Sequence, residues 1–170
     1  MKNSIFAFLM LFGSMGLLAQ VKEIPEVKIK DIEGNIVSTS SIKPEGKPMV
    51  ISFWATWCKP CIRELSTIHD LYPDWQDETG VKLVAISIDD ARNAKKVAPF
   101  IYGQGWEYEI YIDENSDLRR SMGVNNIPHT FLIDKDGKVV WQHAGYQQGD
   151  EEVLYSLIQK LARGEKIESH

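Results

Sequence analysis

The chain has 170 residues, 44% hydrophobic and 25% charged, with a formal net charge of −5. That profile fits one ordinary soluble domain and excludes a disordered, repeat-built or low-complexity chain. Its acidic balance argues against nucleic acid as a partner.

Residues 1–19 read as a secretory signal peptide. Lys2 precedes an apolar run from Ile5 to Leu18, and the polar stretch Gln20-Val21-Lys22-Glu23 comes next. That run is shorter than the roughly 18–20 residues that span a bilayer, so cleavage is expected rather than retention as an anchor. Residues 20–170 then form the mature domain. The expected location is exported, periplasmic or otherwise extracytoplasmic, with membrane association only if the first segment is retained. In an oxidising compartment a pair of thiols either stays oxidised or is kept reduced by an outside donor.

Along the mature chain, Val27 to Asp31 and Ile36 to Ser38 flank the turn signal Glu33-Gly34-Asn35 and predict a β-hairpin. Pro44, Gly46 and Pro48 then punctuate the chain. Met49 to Ala55 is almost continuously apolar, as a central strand covered on both faces requires. Ile62, Leu65, Ile68, Tyr72 and Trp75 recur at helical spacing, with Pro73 expected to bend or end that helix near its last turn. Val81 to Ile88 predicts a second apolar strand, Ala91 to Ile101 a weak helix with Pro99 near its end, and Tyr108 to Ile112 a short strand. Asp117 to Met122 predicts one or two helical turns. His129 to Ile133 and Lys138 to Trp141 predict strands joined through Asp136-Gly137. Asp150, Glu151 and Glu152 supply an acidic first turn to a closing helix whose apolar face is Val153, Leu154, Leu157, Ile158 and Leu161. Strands alternating with helices, then a hairpin and a closing helix, predict an α/β fold with a mixed sheet and helices on both faces.

The only two cysteines stand in Cys58-Lys59-Pro60-Cys61, where the buried strand gives way to the amphipathic helix. This spacing supplies half of many zinc sites, but the remaining ligands would have to come from His69, His129, His143, His170 or carboxylates, none at ligand spacing from another. No metal or other cofactor is expected. A purely structural bridge is poorly sited, since closing so short a loop removes little chain entropy. A redox dithiol is the leading reading.

Thiol-disulfide exchange proceeds by thiolate attack, and a helix N-terminus favours the thiolate through free N–H groups and the positive end of the macrodipole. Cys58 at the start of the helix would gain from both. Pro60 is tolerated in a first helical turn, where its missing N–H is no loss. Lys59 is either a tuning cation or a solvated surface charge. Cys61, turned toward the core, would attack the mixed disulfide. Glu64, three residues on, is either a proton shuttle for that sulfur or an ordinary exposed helix acid.

The segment Phe53-Trp54-Ala55-Thr56-Trp57-Cys58-Lys59-Pro60-Cys61, followed by Glu64, closely resembles the active-site segment of the TlpA/ResA class of extracytoplasmic thiol-disulfide oxidoreductases. A second block, Gly123 to Val139, is similar to the class's cis-proline loop, strand and hairpin. The resemblance runs over nearly all of residues 24 to 162. It implies a thioredoxin-like three-layer fold with a mixed central sheet, an N-terminal β-hairpin and a central strand-helix insertion. The 67 positions between Cys61 and Pro128 fit this class better than a plain thioredoxin.

By the same resemblance Cys58 is the nucleophile, Cys61 the resolving thiol of a redox disulfide, and Glu64 the acid beside the pair. Pro128 is the cis-proline facing the sulfurs, Ile127 pairs with an extended substrate segment, and Trp57 shields the sulfurs. The implied function is reduction of disulfides in exported proteins, apocytochrome c among them. The implied partners are those disulfide-bearing proteins and a membrane electron donor, with the enzyme itself a monomer. Three residues depart from the pattern. Ser52 stands where thioredoxin has a buried acid, which puts a relay role there in doubt. Ser66 replaces a common proline, and His129 replaces the usual threonine after the cis-proline. His129 either tunes or gates the thiols or is an exposed loop side chain. The competing functions are a redox-inert or metal-binding module of the same fold and a peroxiredoxin-like peroxidase. The peroxidase lacks its upstream proline and threonine here.

Overall fold

The computed structural model describes residues 23–167, so residues 1–19, read above as a signal peptide, lie outside the described residues. Seven strands form one sheet: β1 (Lys28–Asp31), β2 (Ile36–Ser38), β3 (Met49–Trp54), β4 (Lys82–Ser87), β5 (Glu109–Ile112), β6 (His129–Ile133) and β7 (Val139–Ala144). Four α-helices accompany them among the described residues: α1 (Lys59–Thr79), α2 (Val97–Gln104), α3 (Asp117–Ser121) and α4 (Asp150–Ala162). The strand order is β2-β1-β5-β4-β3-β6-β7. The β3–β4 and β4–β5 pairs are parallel, while β1–β2, β1–β5, β3–β6 and β6–β7 are antiparallel. This is the mixed sheet of a thioredoxin-like α/β fold, with the hairpin docked through β1 on β5.

The sequence explains which strands lie where. Every residue of β3 is buried, and β4 is buried from Leu83 to Ser87, as unbroken apolar runs between two neighbours must be. The polar end of β7, Gln142 to Ala144, is exposed at the sheet edge. Its extent exceeds the predicted Lys138 to Trp141, because pairing with β6 carries it to His129↔Ala144. Gly137 takes the left-handed φ of 87° that the turn between those strands requires.

Two helical expectations are corrected. Pro73 does not end its helix, for α1 continues to Thr79 and closes at Gly80. The missing N–H of Pro73 is outweighed by tertiary packing on either side of it. Tyr72 Oη accepts from Leu83 N and donates to Val81 O, and buried Trp75 stacks on Tyr155 of α4 with centroids 4.9 Å apart. The helix predicted from Ala91 to Ile101 starts later, at Val97, after a single 3-10 turn over Ala94–Lys96. Pro99 therefore sits in the first turn of α2 rather than near its end, where a missing N–H costs nothing.

Candidate active site

The loop that carries the cysteines is fixed before it begins. At the end of β4 the carboxylate of Asp89, fully buried, accepts from Thr56 N at 2.9 Å, Thr56 Oγ1 at 2.7 Å and Ser87 Oγ at 2.8 Å. Ile88 N donates to Trp54 O at 2.8 Å and Cys58 N to Ala55 O at 3.0 Å. The chain is thereby turned from the parallel β3–β4 pair straight into α1. Cys58 is the N-cap of that helix, with extended φ and ψ, and its sulfur accepts from Cys61 N at 3.3 Å. The sulfur thus does what a Ser or Asp oxygen does at other helix starts, receiving an N–H the first turn leaves unbonded. Cys58 and Cys61 are joined as a disulfide, with Cα atoms 5.3 Å apart. Cys61 is fully buried and Cys58 is 5% exposed. Lys59 and Pro60 are exposed in the first turn, and Lys59 makes no ion pair among the described residues. Trp57 stands out at 62% exposure beside the disulfide-bearing turn.

Glu64 is not the exposed helix acid that spacing alone allowed. It is buried on the same face of α1 as Cys61, with Thr130 Oγ1 donating to Oε1 at 2.7 Å and Ser52 Oγ to Oε2 at 3.2 Å. Burial raises its carboxyl to about 7, against the opposing pull of the Thr130 and Ser52 hydrogen bonds, and the charges of Asp150 and Glu151 add to the rise. A carboxyl poised near neutrality both accepts and returns a proton at physiological pH. Ser52, whose role the sequence left in doubt, is one of its two anchors.

The antiparallel β3–β6 register pairs Phe53 with His129 and Ser52 with Thr130. Pro128, the residue before His129, therefore lies at the same end of the sheet as the loop that leaves β3. The Ile127–Pro128 peptide bond is cis, Pro128 is buried, and Ile127 is partly exposed. His129 is a partly buried strand residue, which corrects the reading of it as an exposed loop side chain. Its ring stacks on Phe131 with centroids 4.6 Å apart, and Nε2 meets Gln142 Oε1 at 3.1 Å. Burial holds its imidazole below the ordinary value of 6.5, with the Gln142 hydrogen bond opposing. Ser66, in α1, is partly buried.

Comparison with known proteins decides the kinship. The AhpC/TSA family model matches residues 21–142. The chain belongs to the AhpC/TSA family. Within it, the chain is 37% identical over 140 residues to the thiol-disulfide oxidoreductase ResA of Bacillus thuringiensis, covering 82% of this chain and 77% of that protein. The solution structure of a thioredoxin-like protein from Porphyromonas gingivalis has 48% identity and a TM-score of 0.75, over 85% of this chain and 95% of that one. The thioredoxin domain of a thiol-disulfide oxidoreductase from Bacteroides vulgatus has 25% identity and a TM-score of 0.65, over 86% and 99%. This AhpC/TSA member is a ResA-like thiol-disulfide oxidoreductase with a CxxC pair that closes as a disulfide.

Two residues of the site were missed by sequence reasoning. Asp89 carried a faint signal, an acid directly at the carboxyl end of an apolar parallel strand. Thr130 carried none of its own, because its meeting with Glu64 depends on the β3–β6 register. Among the described residues no group of three His, Cys, Asp or Glu side chains comes together as a metal site.

Proposed function

We propose that this AhpC/TSA member acts outside the cytoplasm as a protein-disulfide reductase, with Cys58 as nucleophile, Cys61 as resolving thiol and Glu64 as the proton acceptor for Cys61. In the forward direction the Cys58 thiolate attacks a substrate disulfide, forming a mixed disulfide and releasing one substrate thiolate. Cys61 gives its proton to Glu64 and its sulfur displaces the second substrate thiolate from Cys58. Two electrons pass to the substrate and the Cys58–Cys61 disulfide remains. Each turnover leaves the enzyme oxidised, so a membrane electron donor restores the dithiol. Disulfide-bearing exported proteins, apocytochrome c among them, are the substrates, received beside Trp57, Ile127 and Pro128 by a monomeric enzyme. Lys59 and Pro60 set the charge and conformation of the first helical turn.

The observation that carries this reading is the buried Glu64 carboxyl, raised to about 7 by desolvation one helical turn below Cys61. Export rests on the apolar run of residues 5–18 behind Lys2. The test is a trapping experiment in the exported fraction of cells expressing Cys61→Ser. That variant lacks the resolving thiol and should hold substrates as mixed disulfides on Cys58, released by a small thiol. If no thiol-linked protein is recovered while Cys58 alkylates normally, the reductase reading fails.

A further inference from the structure

The proton that Glu64 takes must leave again, and the disulfide side offers it little access. Glu64 and Cys58 are each 5% exposed, and Cys61 and Pro128 are buried. The other side of Glu64 is different. In the β6–β7 register Thr130 pairs with His143, so the hydroxyl that donates to Glu64 and the imidazole at the sheet edge stand side by side on one face. A cavity of about 10 Å³ adjoins both, lined by the polar side chains of Glu64, Thr130, His143, Asp150 and Glu151 and by the apolar ones of Ile68, Trp141 and Leu154. That is room for about one water with several polar partners. His143 itself is 44% exposed, with Nε2 3.4 Å from Asp150 Oδ2.

We propose that Glu64 exchanges its proton with solvent through this edge of the sheet, by way of one cavity water and the His143 imidazole held beside Asp150. The inference rests on the acid role proposed for Glu64. When Cys61 resolves the mixed disulfide, its S–H proton passes to the Glu64 carboxylate and its sulfur bonds to Cys58 Sγ. The substrate sulfur leaves with the electron pair of the broken S–S bond. Glu64 then passes its proton to the cavity water as that water passes one of its own to His143, which releases it to bulk solvent. Re-reduction by the external dithiol runs the same transfers backward. Imidazole is the side chain suited to take and give a proton near neutral pH. Asp150 and Glu151 face His143 from α4 and Glu64 faces it from α1, while His129 of β6 lies on the opposite face of the sheet with Gln142, and Tyr146 Oη donates to Glu151 Oε2 at 3.0 Å. His143 touches neither sulfur and acts only through Glu64.

The test compares insulin reduction by wild type, His143→Ala, His143→Gln, Glu64→Gln and the Glu64→Gln/His143→Ala double variant, from mildly acidic to mildly alkaline pH. Both His143 variants should lower kcat about tenfold, below the ~10²–10⁴ typical of a direct proton-transfer group, with KM unchanged. The solvent deuterium isotope effect should rise, added imidazole should restore the rate of His143→Ala, and the substitution should cost nothing further in Glu64→Gln. Unchanged kcat in the His143 variants, no rescue by imidazole, or an equal loss on the Glu64→Gln background would each overturn the relay while leaving the acid role standing. Full activity of Glu64→Gln would instead remove the acid role, and the relay with it.

Discussion

Thr130 Oγ1 donates a 2.7 Å hydrogen bond to Glu64 Oε1, joining β6 to α1 across 66 residues of chain. It is the strongest of the contacts that hold the Glu64 carboxylate in place, and it stabilises the ionised form against burial. Thr130→Val keeps the shape and removes the donor. The carboxyl of Glu64 should then titrate above its present value of about 7. Carbon-detected NMR of the labelled side chain reads this directly, and an unchanged or lowered midpoint would show that Thr130 does not govern it.

The raised carboxyl also sets how stability depends on pH. The unfolded chain ionises this group near the ordinary 4.5, whereas the folded protein holds its proton to about 7. Between those values folding takes up a proton, so stability falls as pH rises through the window and stays lower above it. The whole effect is about 3 kcal/mol at one pKa unit per 1.36 kcal/mol. Glu64→Gln imitates the protonated form and should be more stable than wild type at pH 8 by a margin of that order, with the difference closing toward pH 4.5. Urea unfolding of the oxidised proteins at several pH values measures it, and parallel curves would contradict the burial of an ionisable Glu64.

Asp89 gathers three donors at the root of the cysteine loop. Asp89→Ala leaves Thr56 N, Thr56 Oγ1 and Ser87 Oγ without their acceptor in a buried site, which costs about 2–4 kcal/mol. Asp89→Asn keeps one carbonyl oxygen and should lose roughly half as much. Denaturant unfolding separates the two, and a change within about 0.5 kcal/mol for the alanine variant would mean the loop is held by other contacts.

Trp57 is the most exposed aromatic side chain of the site, at 62%. Trp57→Ala should change stability by no more than about 0.5 kcal/mol, as surface substitutions do. It should raise KM for a protein disulfide about fivefold, the loss of one modest aromatic contact, while leaving reduction of a small-molecule disulfide unaltered. Equal effects on both substrates would place Trp57 in the chemistry rather than in substrate contact.

Much of the fold and of the site was legible in the chain itself. Runs such as Met49 to Ala55 and Val81 to Ile88 announce central strands because burial on both faces removes any need for polar alternation. The cysteine pair stands out because its position at a strand-to-helix junction gives its sulfurs a chemical reason to be there. What escaped was set by tertiary pairing. The continuation of α1 past Pro73 depends on Trp75 meeting Tyr155, 80 positions away in the chain. The burial of Glu64 depends on two hydroxyls arriving from β3 and β6, and the docking of β1 on β5 on a register no local pattern encodes. The partial burial of His129, the first residue of its predicted strand, depends on its ring meeting Phe131 and on Gln142 arriving from β7.

Insulin-disulfide reduction by the full chain and by Cys58→Ser, each supplied with a small-thiol reductant, tests the central assignment most directly. The predicted result is rapid insulin precipitation with wild type and only the background rate of the reductant with Cys58→Ser. Comparable precipitation by both proteins would contradict a nucleophile at the tip of α1.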